Sequence, residues 1–177
     1  GYTLRTAGAA GDDILLRAGT VVLAAGAWSS QIALPERTAS LGPAPRRALP
    51  VRGHLVECRR TPGMLRPIVR ENHLYVFQRG GGETLTGSNE ERVGFDRNPS
   101  SAAVEEILDR TDRLLPGLFA PREANSAWVG FRPGIEGEGP ELRRLPEERI
   151  WLAYGHYRNG ILLAPHTAAY LAGEIAG

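Results

Sequence analysis

An unbroken helical apolar period is clear over only one stretch of this chain. From Ser100 to Leu115, the residues Val104, Ile107, Leu108, Leu114 and Leu115 return near one face at the 3.6-residue spacing. Ser100 or Ser101 can cap that helix, Glu105 and Glu106 in its first turns complement its dipole, and Pro116-Gly117 ends it. A second helix is predicted over Ile161–Ala176, with Pro165 early enough to be tolerated. Elsewhere 22 Gly and 13 Pro cut the apolar runs into strand-length pieces. Many short strands with two helices predict an α+β fold: a mostly antiparallel sheet with helices on one side.

The strands are read as follows. Tyr2–Thr6 and Ile14–Arg17 flank a Gly/Asp-rich turn, Gly8–Asp13, and Thr20–Ala25 completes a small meander. Val21-Val22-Leu23-Ala24-Ala25 is apolar on both faces, as in a buried parallel strand. It runs into Gly26-Ala27-Trp28-Ser29-Ser30, small residues that let a backbone turn tightly. Residues 35–50 are rich in Pro and Arg and read as a loop. Pro50–Cys58, Met64–Arg70 and Asn72–Gln78 are strand candidates, and Gly80-Gly81-Gly82 is a hairpin turn returning through Glu83–Gly87. A strand over 124–131 runs into Phe131-Arg132-Pro133-Gly134, residues 134–148 read as a charged loop, and Arg149–Tyr154 is the last strand.

Composition closes several routes. The formal charge is +1 and no basic block exceeds two residues, so nucleic acid has no electrostatic footprint. Every one of the 21 basic residues is Arg. Schiff-base, pyridoxal-phosphate and Walker A lysine chemistry are therefore excluded. The single cysteine, Cys58, rules out an internal disulfide and a Cys-rich metal site, and no metal is expected. Apolar stretches such as Val21–Trp28 fall far short of the roughly 20 residues of a membrane span. The default expectation is a soluble protein of the cytoplasm.

Two segments exceed generic globular sequence. One is Val21–Ser30. The other couples Phe131-Arg132-Pro133-Gly134 to Gly155-His156-Tyr157-Arg158-Asn159-Gly160-Ile161-Leu162-Leu163-Ala164-Pro165 across a strand. Together they resemble the FAD-dependent amino-acid oxidase family, the group of D-amino-acid oxidase and sarcosine oxidase. Pro50–Cys58, Tyr75–Arg79, Gly94-Phe95-Asp96 and Leu114-Leu115-Pro116 resemble it in the same order. The likeness covers almost the whole chain and is strongest to the glycine-oxidase-like branch, which serves thiamine biosynthesis.

The resemblance implies FAD as cofactor and a small amino acid or amine, glycine-like, as substrate. Hydride passes to FAD, an imino acid is left, and reoxidation by oxygen gives hydrogen peroxide; a dehydrogenase with another acceptor would share the same residues. It implies that Arg132 holds the substrate carboxylate bidentately, helped by the Tyr75 hydroxyl. His73, two residues before Tyr75 and read on the same strand face, would line the pocket mouth, and Arg158 would lie close to the substrate. Ala25, Gly26 and Trp28, with Gly155, His156, Arg158, Asn159, Gly160, Ile161 and Leu162, would contact the flavin, the last three through free N–H groups opening a helix. Residues 1–45 and 149–177 then read as the C-terminal remnant of a Rossmann-like FAD domain, and 46–148 as the substrate domain.

The family's Gly-x-Gly-x-x-Gly fingerprint is missing: Gly80-Gly81-Gly82 lacks its third glycine, and Gly137-Glu138-Gly139 runs into Pro140. The expectation is a C-terminal half that needs an N-terminal FAD domain and self-associates through uncovered apolar residues. The alternative is a non-catalytic substrate-domain module, or a subunit whose FAD-domain partner is a separate chain. Two stretches depart from the family pattern. Glu136–Arg144 carries charges in place of an apolar-glycine pair, and Gly87-Ser88-Asn89-Glu90 replaces Gly-Ala-Thr.

Overall fold

The computed structural model describes residues 1–7, 13–36, 38, 42–120 and 124–177. They divide into two units, Gly1–Leu49 with Pro133–Gly177, and Pro50–Arg132. In the first, β1 (Tyr2–Ala7) and β2 (Asp13–Ala18) form a two-stranded antiparallel sheet, from Tyr2↔Ala18 to Ala7↔Asp13. Most of the turn expected at Gly8–Asp13 lies outside the described residues. β3 (Val21–Leu23) does not complete a meander with them; it joins a different sheet, described below.

The second unit is a sheet with one helix. Its strands are β4 (Ala48–Arg59, in this unit from Pro50 on), β5 (Val69–Glu71), β6 (Leu74–Gln78), β7 (Glu83–Gly87) and, after helix α1 (Ser101–Leu114), β8 (Ser126–Ile135, in this unit as far as Arg132). The order is β5-β6-β7-β4-β8. The β5–β6, β6–β7 and β7–β4 pairs are antiparallel, as expected. One sheet face carries Val56, Cys58, Leu74 and Val76, which pack with Ile107 and Leu108 of α1 and with Leu118 and Phe119 beyond it. Ser100 caps α1 by accepting from the Ala103 N–H. Thr111 donates to the Ile107 carbonyl at 2.7 Å, so its hydroxyl is the acceptor of the 2.6 Å bond from Thr86 on β7.

Two expectations are corrected here. Met64–Arg70 is strand only over Val69–Glu71. The loop before it is held by a side chain, Gln78, which accepts from the Leu65 N–H at 3.3 Å and donates to the Thr61 carbonyl at 3.0 Å. A side chain thus supplies the backbone partners that a ladder would have given, and Ile68 stays 73% exposed. His73 is not on a strand face. With Asn72, at φ 53°, it forms the tight turn between β5 and β6 and is exposed.

The other sheet belongs to the first unit. β9 (Glu141–Arg144) lies inside the stretch read as a loop and pairs antiparallel with β10 (Ile150–Tyr154). Its charges concealed it: Glu141 is buried because Arg46 and Arg143 neutralise it at 2.5 and 2.7 Å. β3 pairs with the opposite edge of β10, in parallel, from Ile150↔Val21 to Leu152↔Leu23. Every residue of β10 is buried. Ile150, Leu152 and Tyr154 pack with Leu23, Ala48 and Leu145, while Trp151 and Ala153 pack with Leu171 of helix α2 (Gly160–Ala176). The two-faced burial expected of Val21–Leu23 belongs to its neighbour β10; Leu23 is buried, but Val22 is 41% exposed.

Candidate functional site

Arg132 lies on β8, beside β4, and its guanidinium is stacked on the bare backbone of Gly53. A Cβ at Gly53 would stand 2.9 Å from Arg132 Cζ and nearer still to both terminal nitrogens, so only glycine admits the group there. Nη1 donates to the Asn89 carbonyl at 3.2 Å and Nη2 donates to the Ser88 hydroxyl. No carboxylate pairs with this half-buried cation among the described residues. Two of its five N–H groups are used, which leaves donors for a planar anion.

Asn89 is itself fixed from the other side of the strand. Its Oδ1 accepts from the His54 backbone N–H at 3.0 Å and lies 2.9 Å from His54 Nδ1. The fully buried His54 accepts the Ser100 N–H on Nε2 at 3.0 Å. Nε2 therefore carries no proton, and Nδ1–H donates to Asn89. The helix start, the histidine, the asparagine and the guanidinium form one hydrogen-bonded chain. Beside it, buried Arg52 binds Glu91 at 2.7 Å and Asp96 at 2.5 Å. The Asn98 backbone N–H, helped by Arg52, holds the Asp96 carboxyl below the usual range. Unlike Arg132, Arg52 has its charge cancelled by neighbouring carboxylates.

Register places Tyr75 on the same sheet face as Arg132. Tyr75 pairs with Gly87, Gly87 pairs with Leu55, and Gly53 lies two residues along β4, whose missing side chain makes room for the guanidinium. This face is opposite the one that packs on α1. Phe77 stacks beside Tyr75 with ring centroids 6.2 Å apart. His73 sits at the exposed turn just before it.

In the first unit, β3 and β10 run parallel, so the segments after them leave from the same end of the sheet. Ala25 leads into a 3-10 turn, Gly26–Gln31, that contains Trp28. Gly155 leads into the loop of His156, Tyr157, Arg158 and Asn159, and α2 begins at Gly160. His156 ties this loop down through Nε2, 2.9 Å from the Thr167 hydroxyl on α2. Arg158 and Asn159 are exposed. Crevices outside the carboxyl ends of parallel strands are where such sheets bind ligands.

Residues 3–174 match the family described as DAO, FAD dependent oxidoreductase. The chain belongs to the FAD-dependent oxidoreductase family. A glycine oxidase of Pseudomonas aeruginosa is 34% identical to it over 163 residues, 92% of this chain and 43% of that protein. A bifunctional protein ThiO/ThiG of Synechocystis sp. is 32% identical over 161 residues, 88% of this chain and 23% of the relative. A crystal structure of glycine oxidase from Bacillus cereus superposes with a TM-score of 0.77 at 28% identity, over 92% of this chain and 44% of that one. The chain thus spans less than half the length of these relatives.

The family's cofactor is FAD, and the end of the β3–β10 sheet fits a polar, extended group. Ser29 Oγ, in the turn after β3, is buried with no hydrogen-bond partner among the described residues. No side chain caps α2, so first-turn N–H groups and the positive end of the helix dipole are open, beside Ile161 at 95% and Leu162 at 78% exposure. A Cβ on Gly26 would meet nothing within 4 Å. Gly155 is different. A Cβ there would lie 2.7 Å from Ile135, so its lack of a side chain answers to internal packing.

Sequence reasoning singled out Arg132 and passed over the residues that hold it. Gly53 and His54 lie within an expected strand, and Ser88-Asn89 registered only as a departure from a family pattern. The available signal was a histidine and an arginine set among the apolar residues of Pro50–Cys58.

Proposed function

We propose that this chain is the C-terminal part of a flavin-dependent oxidoreductase that oxidises a small, glycine-like amino acid or amine. The observation that carries the reading is Arg132: a guanidinium fixed on the Gly53 backbone by Asn89 and Ser88, with no carboxylate of its own among the described residues. A planar cation held this way binds a carboxylate by two charge-assisted hydrogen bonds and so fixes the orientation of the attached Cα. Tyr75, on the same sheet face, contributes its hydroxyl to that carboxylate. The turn residue His73, just before Tyr75, borders the substrate.

FAD, when bound, would supply two-electron redox chemistry at the substrate Cα, with dioxygen as the final acceptor and hydrogen peroxide and an imino acid as the products. Ala25, Gly26 and Trp28 would hold FAD from the turn after β3. Gly155, His156, Arg158 and Asn159 would hold it from the loop after β10, and Gly160, Ile161 and Leu162 would offer N–H groups that favour negative charge. In this reading the first unit carries the flavin-facing segments and the second the carboxylate clamp. The dinucleotide end of FAD is held by protein outside these 177 residues, which accords with relatives more than twice as long. The names of those relatives support glycine oxidation in thiamine biosynthesis as the physiological setting.

Arg132→Lys in the whole flavoprotein tests this. Lysine keeps the charge but loses the planar two-point grip. kcat/KM for glycine is expected to fall by about 100-fold or more, the worth of a well-oriented bidentate contact. An unchanged kcat/KM would remove the clamp from the mechanism.

A further inference from the structure

Arg132 does not set its own geometry. Its guanidinium occupies the space that a side chain on Gly53 would fill, and both terminal nitrogens are tied to consecutive residues, Ser88 and Asn89. Asn89 in turn is held by both the backbone and the ring of His54, which is locked to the start of α1 through the Ser100 N–H. Rotation of the guanidinium about its own axis is thus stopped at two points, and its approach to the sheet is stopped by the β4 backbone. Arginine has a long side chain with many rotamers, and part of that freedom is lost whenever it grips a ligand. A guanidinium ordered before the ligand arrives has already met that loss.

We propose that Gly53, Ser88 and Asn89 are positioning residues for Arg132: they pre-order the guanidinium so that its remaining N–H groups form a ready-made carboxylate seat. None of the three needs to touch the substrate. Gly53 acts by having no side chain, Ser88 through its hydroxyl, and Asn89 through a main-chain carbonyl whose place is fixed by its own amide on His54. This rests on the reading of Arg132 as the carboxylate clamp. The device also explains why Ser88 and Asn89, polar and largely covered, stand at the end of β7: the Ser88 hydroxyl is spent on the arginine, and the Asn89 amide oxygen on His54.

The experiment is a double-mutant cycle on acetate binding in the whole flavoprotein, read from the change in flavin absorbance during an acetate titration. Gly53→Ala puts a methyl group against the far end of a flexible side chain, so the guanidinium yields and the sheet is kept. Its dissociation constant for acetate is expected to rise about 10-fold, the worth of one charge-assisted hydrogen bond. Arg132→Met is expected to weaken acetate at least as much, and adding Gly53→Ala to Arg132→Met should then change nothing further. If Gly53→Ala weakens acetate equally with and without Arg132, Gly53 acts on the fold at large and the positioning role is overturned. If Arg132→Met weakens acetate while Gly53→Ala leaves it unchanged, the clamp stands and the positioning role falls. If Arg132→Met itself leaves acetate binding intact, the clamp fails, and the positioning role with it. Ser88→Ala removes a single acceptor atom and gives the same cycle should Gly53→Ala fold poorly; about threefold weaker binding, abolished in Arg132→Met, is the supporting result. An uncoupled effect of Ser88→Ala overturns it.

Discussion

Glu141 is buried on a strand that its own charge makes hard to see, and it stays ionised there. Burial pushes its carboxyl upward, but hydrogen bonds from Arg46 and Arg143 outweigh that and hold it below the usual carboxylate range. A depressed folded value means that the unfolded chain binds the proton more readily. The stabilisation is therefore fully present above the ordinary carboxylate value and is lost as pH falls through the depressed one. Melting curves of the native chain and Glu141→Gln should differ most near neutrality and converge in acid. A gap that stays constant down to the lowest pH would mean that Glu141 is not the linked group. Sequence had marked Glu141 as one loop charge among many, because a carboxylate reads as exposed until its two guanidinium partners, one of them 95 residues away, are placed beside it.

At the scale of elements, α1 was legible to within a residue at each end, because an amphipathic period, a serine cap and a Pro-Gly stop are all local signals. The hairpin of β6 and β7 was equally plain from its three glycines and the apolar alternation on either side. β9 was not, and the Met64–Arg70 strand was overread. In both cases a side chain distant in sequence decides the outcome: Arg46 neutralises the Glu141 side chain on β9, and Gln78 gives the loop before β5 its backbone partners. The contact between sheet and helix is also polar at one point, Thr86 to Thr111, with both groups fully buried. Thr111→Val should destabilise the unit by about 1–3 kcal/mol, because the Thr86 hydroxyl is then buried without its partner. Thr86→Val combined with Thr111→Val should recover part of that loss, since removing both partners leaves nothing unsatisfied. Denaturant unfolding of the three variants checks it; a double variant worse than the sum of the singles would contradict it.

For the molecule as a whole, the apolar surface left uncovered is the telling property. Ile14, Leu15 and Leu16 of β2 are each more than half exposed, and Ile161 and Leu162 open α2 into solvent. Residues of this kind seek cover. Produced by itself, the 177-residue chain is expected to self-associate and to take up FAD weakly, because the pyrophosphate of a dinucleotide needs a glycine turn at a helix N-terminus. A light-scattering mass beside a flavin spectrum decides this; a yellow, monomeric, peroxide-forming preparation would refute it. No helix among the described residues is long and apolar enough to cross a membrane. The sequence alone determined the alternation of short strands with two helices and the exclusion of lysine chemistry, since each rests on residue identity or on neighbours within a few positions; Arg132 was singled out only by resemblance to a family. Only the tertiary structure decided that β3 runs parallel to β10 and that β9 is a strand. It alone brought Gly53, His54, Ser88 and Asn89 around Arg132, because those relations join residues tens of positions apart through hydrogen bonds and close packing that no local pattern encodes.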